Sequence, residues 1–245
     1  SELVEYSEER MPISVQEYNI EETDVGSMAD GHQEFVTLIR NNSNDGFPGG
    51  NNIGIRLALQ RESDYVLLLN NDVVVDEQFL TSSVKVAESS DSTGIVGSKV
   101  YYYDEPNRIQ TIGGDMAWWM FRPYNYGMGE IDTGQYDTIE DRDFVWATAQ
   151  LIDSDVFHDV GLLDEEFFFG IEEYDLCDRA KRAGYTIVYN PESKVWHKGH
   201  ASASKLEQYS ETKSRIRKET GFLDYKLIAH ALKKHYGRFI WIFPL

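Results

Sequence analysis

Two asparagines and an aspartate, Asn70-Asn71-Asp72, directly follow the apolar run Tyr65-Val66-Leu67-Leu68-Leu69. Such a run is typical of a central strand in a parallel sheet, and ligands of open parallel sheets bind beyond the carboxyl ends of the strands. Asp72 can bind a metal ion, and the asparagines can hydrogen-bond a sugar or a base. An isolated Asn-Asn-Asp is also an ordinary turn between a strand and a helix.

A second group of polar residues, Glu172-Glu173-Tyr174-Asp175, opens a helix predicted from Ile171 to Ala183 and ended by Gly184. The helix dipole stabilises negative charge there. If the preceding Phe167-Phe168-Phe169 excludes water from this position, a carboxylate here could act as a general base on an alcohol. The alternative is helix capping, with Asp175 and Arg179 forming a routine i,i+4 ion pair.

The glycine-rich segment Gly46-Phe47-Pro48-Gly49-Gly50-Asn51-Asn52 precedes a helix predicted from about Asn52 to Arg61. Glycines before a helix let backbone N–H groups approach an anion. The Lys-Ser/Thr pair of a P-loop is not in this segment, and neither is a Gly-x-Gly-x-x-Gly. A Gly-Pro turn with Asn51 or Asn52 as the helix cap is an equal alternative.

His197 ends a short strand predicted for Lys194–His197, one of two around the turn Asn190-Pro191. A lone histidine is commonly structural. If it converges with Asp72, however, a carboxylate, an imidazole and diphosphate oxygens would suit Mn²⁺ or Mg²⁺.

The elements that would position these residues alternate between strand and helix, which predicts an α/β fold with a mainly parallel, doubly wound sheet. Aromatic segments broken by glycines between Tyr101 and Thr138 favour hairpins and loops instead. The remaining predicted elements are strands at Phe35–Ile39, Gly94–Ser98, Phe144–Ile152 and Thr186–Tyr189, and helices at Glu77–Ser89 and Asp155–Val160.

Composition narrows the class of partner. The chain has 23 Lys and Arg against 42 Asp and Glu, a net charge of -19, which argues against nucleic acid. A diphosphate ligand would then need a divalent cation held by carboxylates. The single cysteine, Cys177, excludes an internal disulfide and favours the cytoplasm.

We divide the chain into an irregular lead-in (1–34), a catalytic domain (35–205) and a helical tail (206–245). The tail ends in Phe239-Ile240-Trp241-Ile242-Phe243-Pro244-Leu245, which is too short to span a membrane. It could lie in a membrane interface at the inner face, near a lipid-linked acceptor, or pack on the domain or on a second copy of the chain.

Taken in order, five spaced motifs resemble family 2 glycosyltransferases, in the subgroup described as rhamnosyltransferase-like, from about residue 35 to 205. The motifs are Arg40-Asn41-x-x-Asn44-x-Gly46-Phe47-x-Gly49-Gly50-Asn51-Asn52, Leu67-Leu68-Leu69-Asn70-Asn71-Asp72, Val160-Gly161-Leu162-Leu163-Asp164-Glu165-x-Phe167-Phe168, Glu172-Glu173-x-Asp175-Leu176-Cys177-x-Arg179, and Gly184-Tyr185 with Trp196-His197.

The resemblance implies a GT-A fold, a nucleoside-diphosphate sugar donor, a glycan or lipid-linked acceptor and inversion by single displacement. It places a divalent metal, Mn or Mg, on Asp72 and His197, with Glu173 as the general base and Glu172 beside it. The donor would contact Asn44, Gly49, Gly50, Asn51, Asn70 and Asn71. The acceptor would contact Trp146 and Asp175.

Three departures from the family pattern stand out. Glu173 occupies a position where Asp is usual, and Asn70 replaces the first Asp of the family's Asp-x-Asp motif. The strand-helix-strand unit that usually precedes residue 35 and grips the nucleotide base is not recognisable in residues 1–34. The alternative functions are a truncated or non-catalytic relative that binds glycan through Trp118, Trp119 and Trp146, and a nucleotidyltransferase.

Overall fold

The structure is a computed structural model that describes residues 14–20, 35–117, 122–167 and 170–199. Its helices are α1 (Gly46–Gln60), α2 (Phe79–Ala87), α3 (Ser154–Val160) and α4 (Glu172–Ala183). Its strands are β1 (Ser14–Ile20), β2 (Phe35–Asn41), β3 (Tyr65–Leu69), β4 (Val73–Val75), β5 (Thr93–Tyr102), β6 (Ile109–Thr111), β7 (Gly114–Ala117), β8 (Arg122–Asn125), β9 (Glu140–Asp141), β10 (Ala149–Asp153) and β11 (Thr186–His197).

Seven of these strands form one mixed sheet in the order β3-β10-β5-β11-β4, with β6 added to β5 and β9 to β11. The parallel pair in this sheet is β5 with β11, which are linked through α3 and α4. β10 runs antiparallel to both of its neighbours, because β5 leads to it through loops and hairpins rather than through a crossover helix. The α/β class is confirmed, but the sheet is mixed where the sequence favoured mainly parallel pairing.

Apolar side chains cover both faces of this sheet. On one face Val66, Leu68 and Ile95 pack with Leu176 and Cys177 of α4. On the other face, the strand residues Leu67, Val96, Leu151 and Val188 pack against Val86 and Ala87 of α2. Burial on both faces explains the continuous apolarity of β3.

The sequence predicted β3 as a central strand, and this was wrong within the described part of the chain. There β3 is an edge strand of the sheet, and Leu69 is 42% exposed. β5 is far more buried, although Gly94, Gly97, Ser98 and Lys99 interrupt its apolar pattern. Hydrophobic continuity therefore identified a strand correctly but did not identify the centre of the sheet.

Three local boundaries also differ from the sequence predictions. α1 begins at Gly46, so the glycine-rich segment is its first turns rather than a loop before it. β11 is one strand that passes through Asn190-Pro191 with a bulge, since it pairs with β5 on both sides of that point. A short strand, β4, follows Asp72 where a helix was expected next.

The hairpin region was predicted correctly in kind: β7 and β8 pair antiparallel, and β6 pairs antiparallel with β5. β1 lies inside the segment predicted as irregular and pairs in parallel with β2. The proposed helical tail, its last seven residues, Trp118 and Trp119 lie outside the described residues. None of the described helices is long and apolar enough to cross a membrane.

A buried lysine connects β5 to the loop that precedes β9. Lys99 is fully buried, and its Nζ donates to Asp132 Oδ2 at 2.9 Å and to Asp137 Oδ1 at 2.6 Å. Tyr101 also donates to Asp132. Burial opposes ionisation of Asp132, but the hydrogen bonds from Tyr101 and Lys99 outweigh it and lower its pKa to about 2. The loop is thus fastened to the sheet by charge-assisted hydrogen bonds.

Replacing this lysine should destabilise the fold. Lys99→Met removes the charge that compensates Asp132, and we expect the free energy of unfolding to fall by about 3 kcal/mol, the lower end for a broken buried pair because Asp137 is exposed. Urea titration measures this. Lys85→Met, on the exposed side of α2, should change stability by less than about 0.5 kcal/mol. Equal effects of the two substitutions would contradict this assignment.

Candidate active site

The Asn70–Asp72 turn joins β3 to β4 and is held from both sides by backbone hydrogen bonds. Asn70 N donates to Thr148 O at 3.1 Å, just before β10, and Lys198 N donates to Asp72 O at 2.9 Å, just after β11. The side chain of Asn71 is exposed. The turn is therefore fixed between the start of β10 and the end of β11.

Strand pairing brings His197 to Asp72 across 125 residues of chain. β4 runs antiparallel to β11 with Val73 opposite His197, so the residue before Val73 lies beside the imidazole. His197 Nε2 is 3.1 Å from Asp72 Oδ1. His197 and Asp72 therefore lie together, which is the condition that the sequence analysis set for a metal site.

Both members of this pair are largely removed from solvent, with side chains 7% exposed for Asp72 and 14% for His197. Asp72 Oδ2 is buried without a hydrogen-bond partner. Asn70 Nδ2 lies 3.4 Å from His197 Nε2, and Gln110 Oε1 lies 2.8 Å from His197 Nδ1. A buried carboxylate oxygen without a donor is costly, so a ligand for it is expected.

The Asp72–His197 pair fits a divalent cation as two of several ligands. Two ligands at right angles around an octahedral ion, each about 2.1 Å from it, lie about 3 Å apart, close to the observed separation. No group of three or more His, Cys, Asp or Glu side chains suited to a metal occurs in the described residues. Such an ion would need further oxygens from a ligand or water, as Mg²⁺ commonly does with phosphates.

The other carboxylate cluster begins α4, where the two glutamates differ in environment. Glu172 is buried, and its Oε2 accepts hydrogen bonds from the backbone N–H groups of Gly170 and Ile171, at 2.5 and 2.8 Å. Glu173 is half-buried, but its Oε2 is buried and has no hydrogen-bond partner. Glu172 thus secures the start of the helix, while one oxygen of Glu173 is left available.

These environments perturb both carboxyl groups. Burial raises the pKa of Glu172, against the effect of its backbone hydrogen bonds. Burial, and secondly the nearby charge of Glu172, raise the pKa of Glu173 to about 8. A carboxylate with a pKa near the working pH is well suited to take a proton from a hydroxyl.

Asp175 has a structural environment. Its side chain is fully buried, and its Oδ2 accepts from Arg179 Nε at 2.8 Å. Arg179 also donates to the carbonyls of Val160, Gly161 and Leu162, tying α4 to the end of α3. The expected place of Asp175 in an acceptor site conflicts with this burial, because its carboxylate has no access to a ligand here.

The segment from Phe144 to Gln150 connects the two halves of the site. At one end Phe144 packs edge-on against Tyr174, with ring centroids 4.5 Å apart. At the other end Thr148 O holds Asn70. Trp146 lies between them, half-buried, and donates from Nε1 to Asn125 Oδ1 at 3.0 Å. The structure therefore places Trp146 along the stretch between the Asp72 turn and the start of α4.

The residues predicted to bind the donor from the glycine-rich segment make local contacts. Asn44 Oδ1 accepts from Gly46 N, and Asn51 Nδ2 donates to Phe47 O. A side chain at Gly49 would meet the Cβ of Asp45 at 2.5 Å, whereas Gly50 is exposed and has open space beside it. No hydrogen bond that these residues make in the described part of the chain reaches Asn70–Asp72, so their role remains a prediction.

Two contact residues of the site were missed by sequence reasoning. Gln110 is flanked in β6 by the buried Ile109 and Thr111, so strand alternation turns it to the opposite face, toward His197. Asn125 holds Trp146 from the end of β8. Their only signal was alternation in short strands within a region predicted as hairpins and loops.

A cavity of about 860 Å³ lies at the other end of β3, where Asp64, Tyr65, Glu88 and Asp153 are among its lining residues. Carboxylates dominate this lining, and they would repel a diphosphate. The cavity is therefore a poor candidate for the donor site.

The chain is similar to known proteins in sequence and in fold. Residues 13–217 match the family model described as "Glycosyltransferase like family 2". The chain belongs to the glycosyltransferase family 2-like proteins. The match starts before the domain boundary expected at residue 35 and includes β1. The rhamnosyltransferase-like subgroup remains a prediction.

Two curated relatives are each 29% identical to this glycosyltransferase family 2-like chain. One is the low-salt glycan biosynthesis hexosyltransferase Agl10 of Haloferax volcanii, aligned over 62% of this chain and 48% of the relative. The other is the uncharacterized protein y4gI of Sinorhizobium fredii, aligned over 70% of this chain and 19% of the relative. The chain spans less than half the length of either relative.

The crystal structure of GalNAc-T7 with UDP, GalNAc and Mn²⁺ is a structural neighbour with a TM-score of 0.51. It is 16% identical, and the superposition covers 66% of this chain and 32% of that one. At this identity the likeness concerns the fold alone, which is GT-A-like.

The raised pKa of Glu173 predicts a pH dependence of stability. The native state retains a proton between pH 4.5, the ordinary value of this carboxyl, and about 8, while the unfolded state has lost it. The contribution is complete below pH 4.5 and is lost as the pH rises through 8, so the unfolding free energy falls across this window.

Urea titrations at pH 5, 7 and 9 measure this slope. Glu173→Gln should flatten it, whereas Glu77→Gln, on an exposed side chain before α2, should leave it as in the parent protein. An unchanged slope in Glu173→Gln would show that the carboxyl group is ionised in the native state at neutral pH.

Proposed function

We propose that this chain is the catalytic domain of an inverting hexosyltransferase, which moves a sugar from a nucleoside-diphosphate donor to a hydroxyl of a glycan or lipid-linked acceptor. The observation that carries the proposal is the Asp72–His197 pair at the carboxyl ends of β3 and β11, in a chain of this family. The hexosyltransferase relative supports the reaction class. The aligned region covers 48% of that relative, so the support concerns this region and not its full length.

Asp72 and His197 would hold a divalent cation, Mn²⁺ or Mg²⁺, together with oxygens of the donor diphosphate. When bound, such an ion neutralises charge that develops on the leaving diphosphate. The neighbour crystallised with UDP and Mn²⁺ is consistent with this choice, although it supports only the fold. The acidity of the chain, at -19, is a further reason why binding of a diphosphate would need a cation.

Glu173 would take the proton of the acceptor hydroxyl as the oxygen attacks the anomeric carbon from the side opposite the diphosphate. A single displacement of this kind inverts the configuration of that carbon. The free Oε2 and the pKa of about 8 support this role. Glu172 contributes indirectly, because its hydrogen bonds to Gly170 and Ile171 fix the backbone from which Glu173 projects.

Trp146 would offer its ring to the acceptor, since sugars pack on aromatic faces and Asn125 already holds its Nε1. Asn70 and Asn71 would lie against the donor, whereas Asp175 is omitted because it is buried in its ion pair. A cytoplasmic setting, peripheral membrane contact and self-association remain predictions from the sequence.

Calorimetry with Mn²⁺ and UDP, GDP or dTDP tests the donor site. We expect metal-dependent binding of at least one nucleotide, lost in Asp72→Ala and in His197→Ala and kept in Asp91→Ala, an exposed control. Absence of binding for all three nucleotides in the parent protein would contradict an enzyme of this kind.

Release of nucleoside diphosphate from the corresponding donor sugar tests the base. Glu173→Gln should bind the nucleotide with Mn²⁺ as the parent does, while the rate falls by about 10²- to 10⁴-fold. A rate in Glu173→Gln within a few-fold of the parent would rule out Glu173 as the base. A parent protein that binds the nucleotide but transfers no sugar would favour the non-catalytic alternative.

A further inference from the structure

We infer that Gln110 is a positioning residue that holds His197 in the tautomer whose Nε2 lone pair faces Asp72. The inference deepens the proposed function and rests on it, because it concerns how the histidine is prepared for a cation. Gln110 does not contact the proposed ion or the donor. It acts through the imidazole.

The geometry around His197 favours one tautomer. Gln110 Oε1, 2.8 Å from Nδ1, is an acceptor and requires a proton on that nitrogen. Asn70 Nδ2, 3.4 Å from Nε2, is a donor and therefore meets a lone pair on the second nitrogen. The two amides thus select the neutral ring with hydrogen on Nδ1, from opposite ends.

The consequence lies between His197 and Asp72. In this tautomer the Nε2 lone pair and the Asp72 Oδ1 lone pairs face each other at 3.1 Å, and Oδ2 has no partner. Two electron-rich atoms this close repel unless a positive species lies near both. In the opposite tautomer Nε2–H would donate to Asp72 and close the site, while Nδ1 would face the Gln110 oxygen, lone pair to lone pair.

The backbone explains why Gln110 can do this. Its neighbours Ile109 and Thr111 are buried on the far side of β6, and β6 pairs with β5, the strand that also pairs with β11. The pairing of β6 with β5, and of β5 with β11, therefore places Gln110 beside the imidazole. Histidines that bind metals usually donate their other ring N–H to such an acceptor, and its loss typically weakens metal binding by about 10- to 100-fold.

Nitrogen NMR of the metal-free protein at a pH where the ring is neutral tests the inference directly. Correlation spectra of the ¹⁵N-labelled imidazole distinguish the tautomers, and the spectrum of His197→Ala assigns the signal. We expect hydrogen on Nδ1 in the parent protein and in Gln110→Glu, which keeps an acceptor oxygen. Gln110→Ala should shift the population toward hydrogen on Nε2. Gln60→Ala, an exposed control at the end of α1, should not.

Calorimetry with Mn²⁺ and the nucleotide that binds the parent gives the second readout. Of the two Gln110 variants, only Gln110→Ala should lose affinity, by about 10- to 100-fold, whereas Gln110→Glu should not.

A parent ring with hydrogen on Nε2, or an unchanged tautomer in Gln110→Ala, overturns the inference. If Asp72→Ala abolishes binding but Gln110→Ala does not weaken it, the proposed function stands and this inference fails. If the tautomer changes but the parent binds no Mn²⁺, Gln110 positions His197 and the metal proposal fails.

Discussion

The candidate site depends on the antiparallel pairing of β4 with the last residues of β11. This pairing sets Val73 opposite His197 and thereby brings Asp72 Oδ1 to 3.1 Å from the imidazole. β11 can reach this point because it continues past Asn190-Pro191 along β5, with a bulge rather than a break. A one-residue slip of β4 would turn Asp72 away, since neighbouring side chains point to opposite faces. Backbone hydrogen bonds at both ends of β4, from Lys198 N to Asp72 O and from Asp76 N to Lys194 O, hold this register.

The two halves of the site use burial in different ways. At the Asp72 turn, burial leaves one carboxylate oxygen without a partner, which fits a cation. At the start of α4, burial raises the pKa of both glutamates, but backbone N–H groups satisfy Glu172 Oε2, whereas Glu173 Oε2 has no hydrogen-bond partner. One acid is thus held as part of the helix cap and the other is prepared to accept a proton. The segment Phe144–Gln150 connects both environments.

Several features could be predicted from the sequence because local patterns determine them. The apolar run of β3, the helix ended by Gly184 in the left-handed conformation and the ordered motifs of the family all follow from short-range signals. The strand order and the mixed polarity could not, since β10 pairs with β3 and β5 through contacts distant in sequence. Asp175 was assigned to the acceptor because sequence spacing does not report burial. Gln110 was missed because β6 has only three residues, too few for a period to be recognised.

The most direct test is an anomalous diffraction map of crystals grown with Mn²⁺ and the nucleoside diphosphate that binds. We predict a single strong peak within bonding distance, about 2.0 to 2.3 Å, of both an Asp72 carboxylate oxygen and His197 Nε2, with diphosphate oxygens completing the coordination. A peak held by other side chains, with His197 Nε2 donating a hydrogen bond to Asp72, would contradict the account.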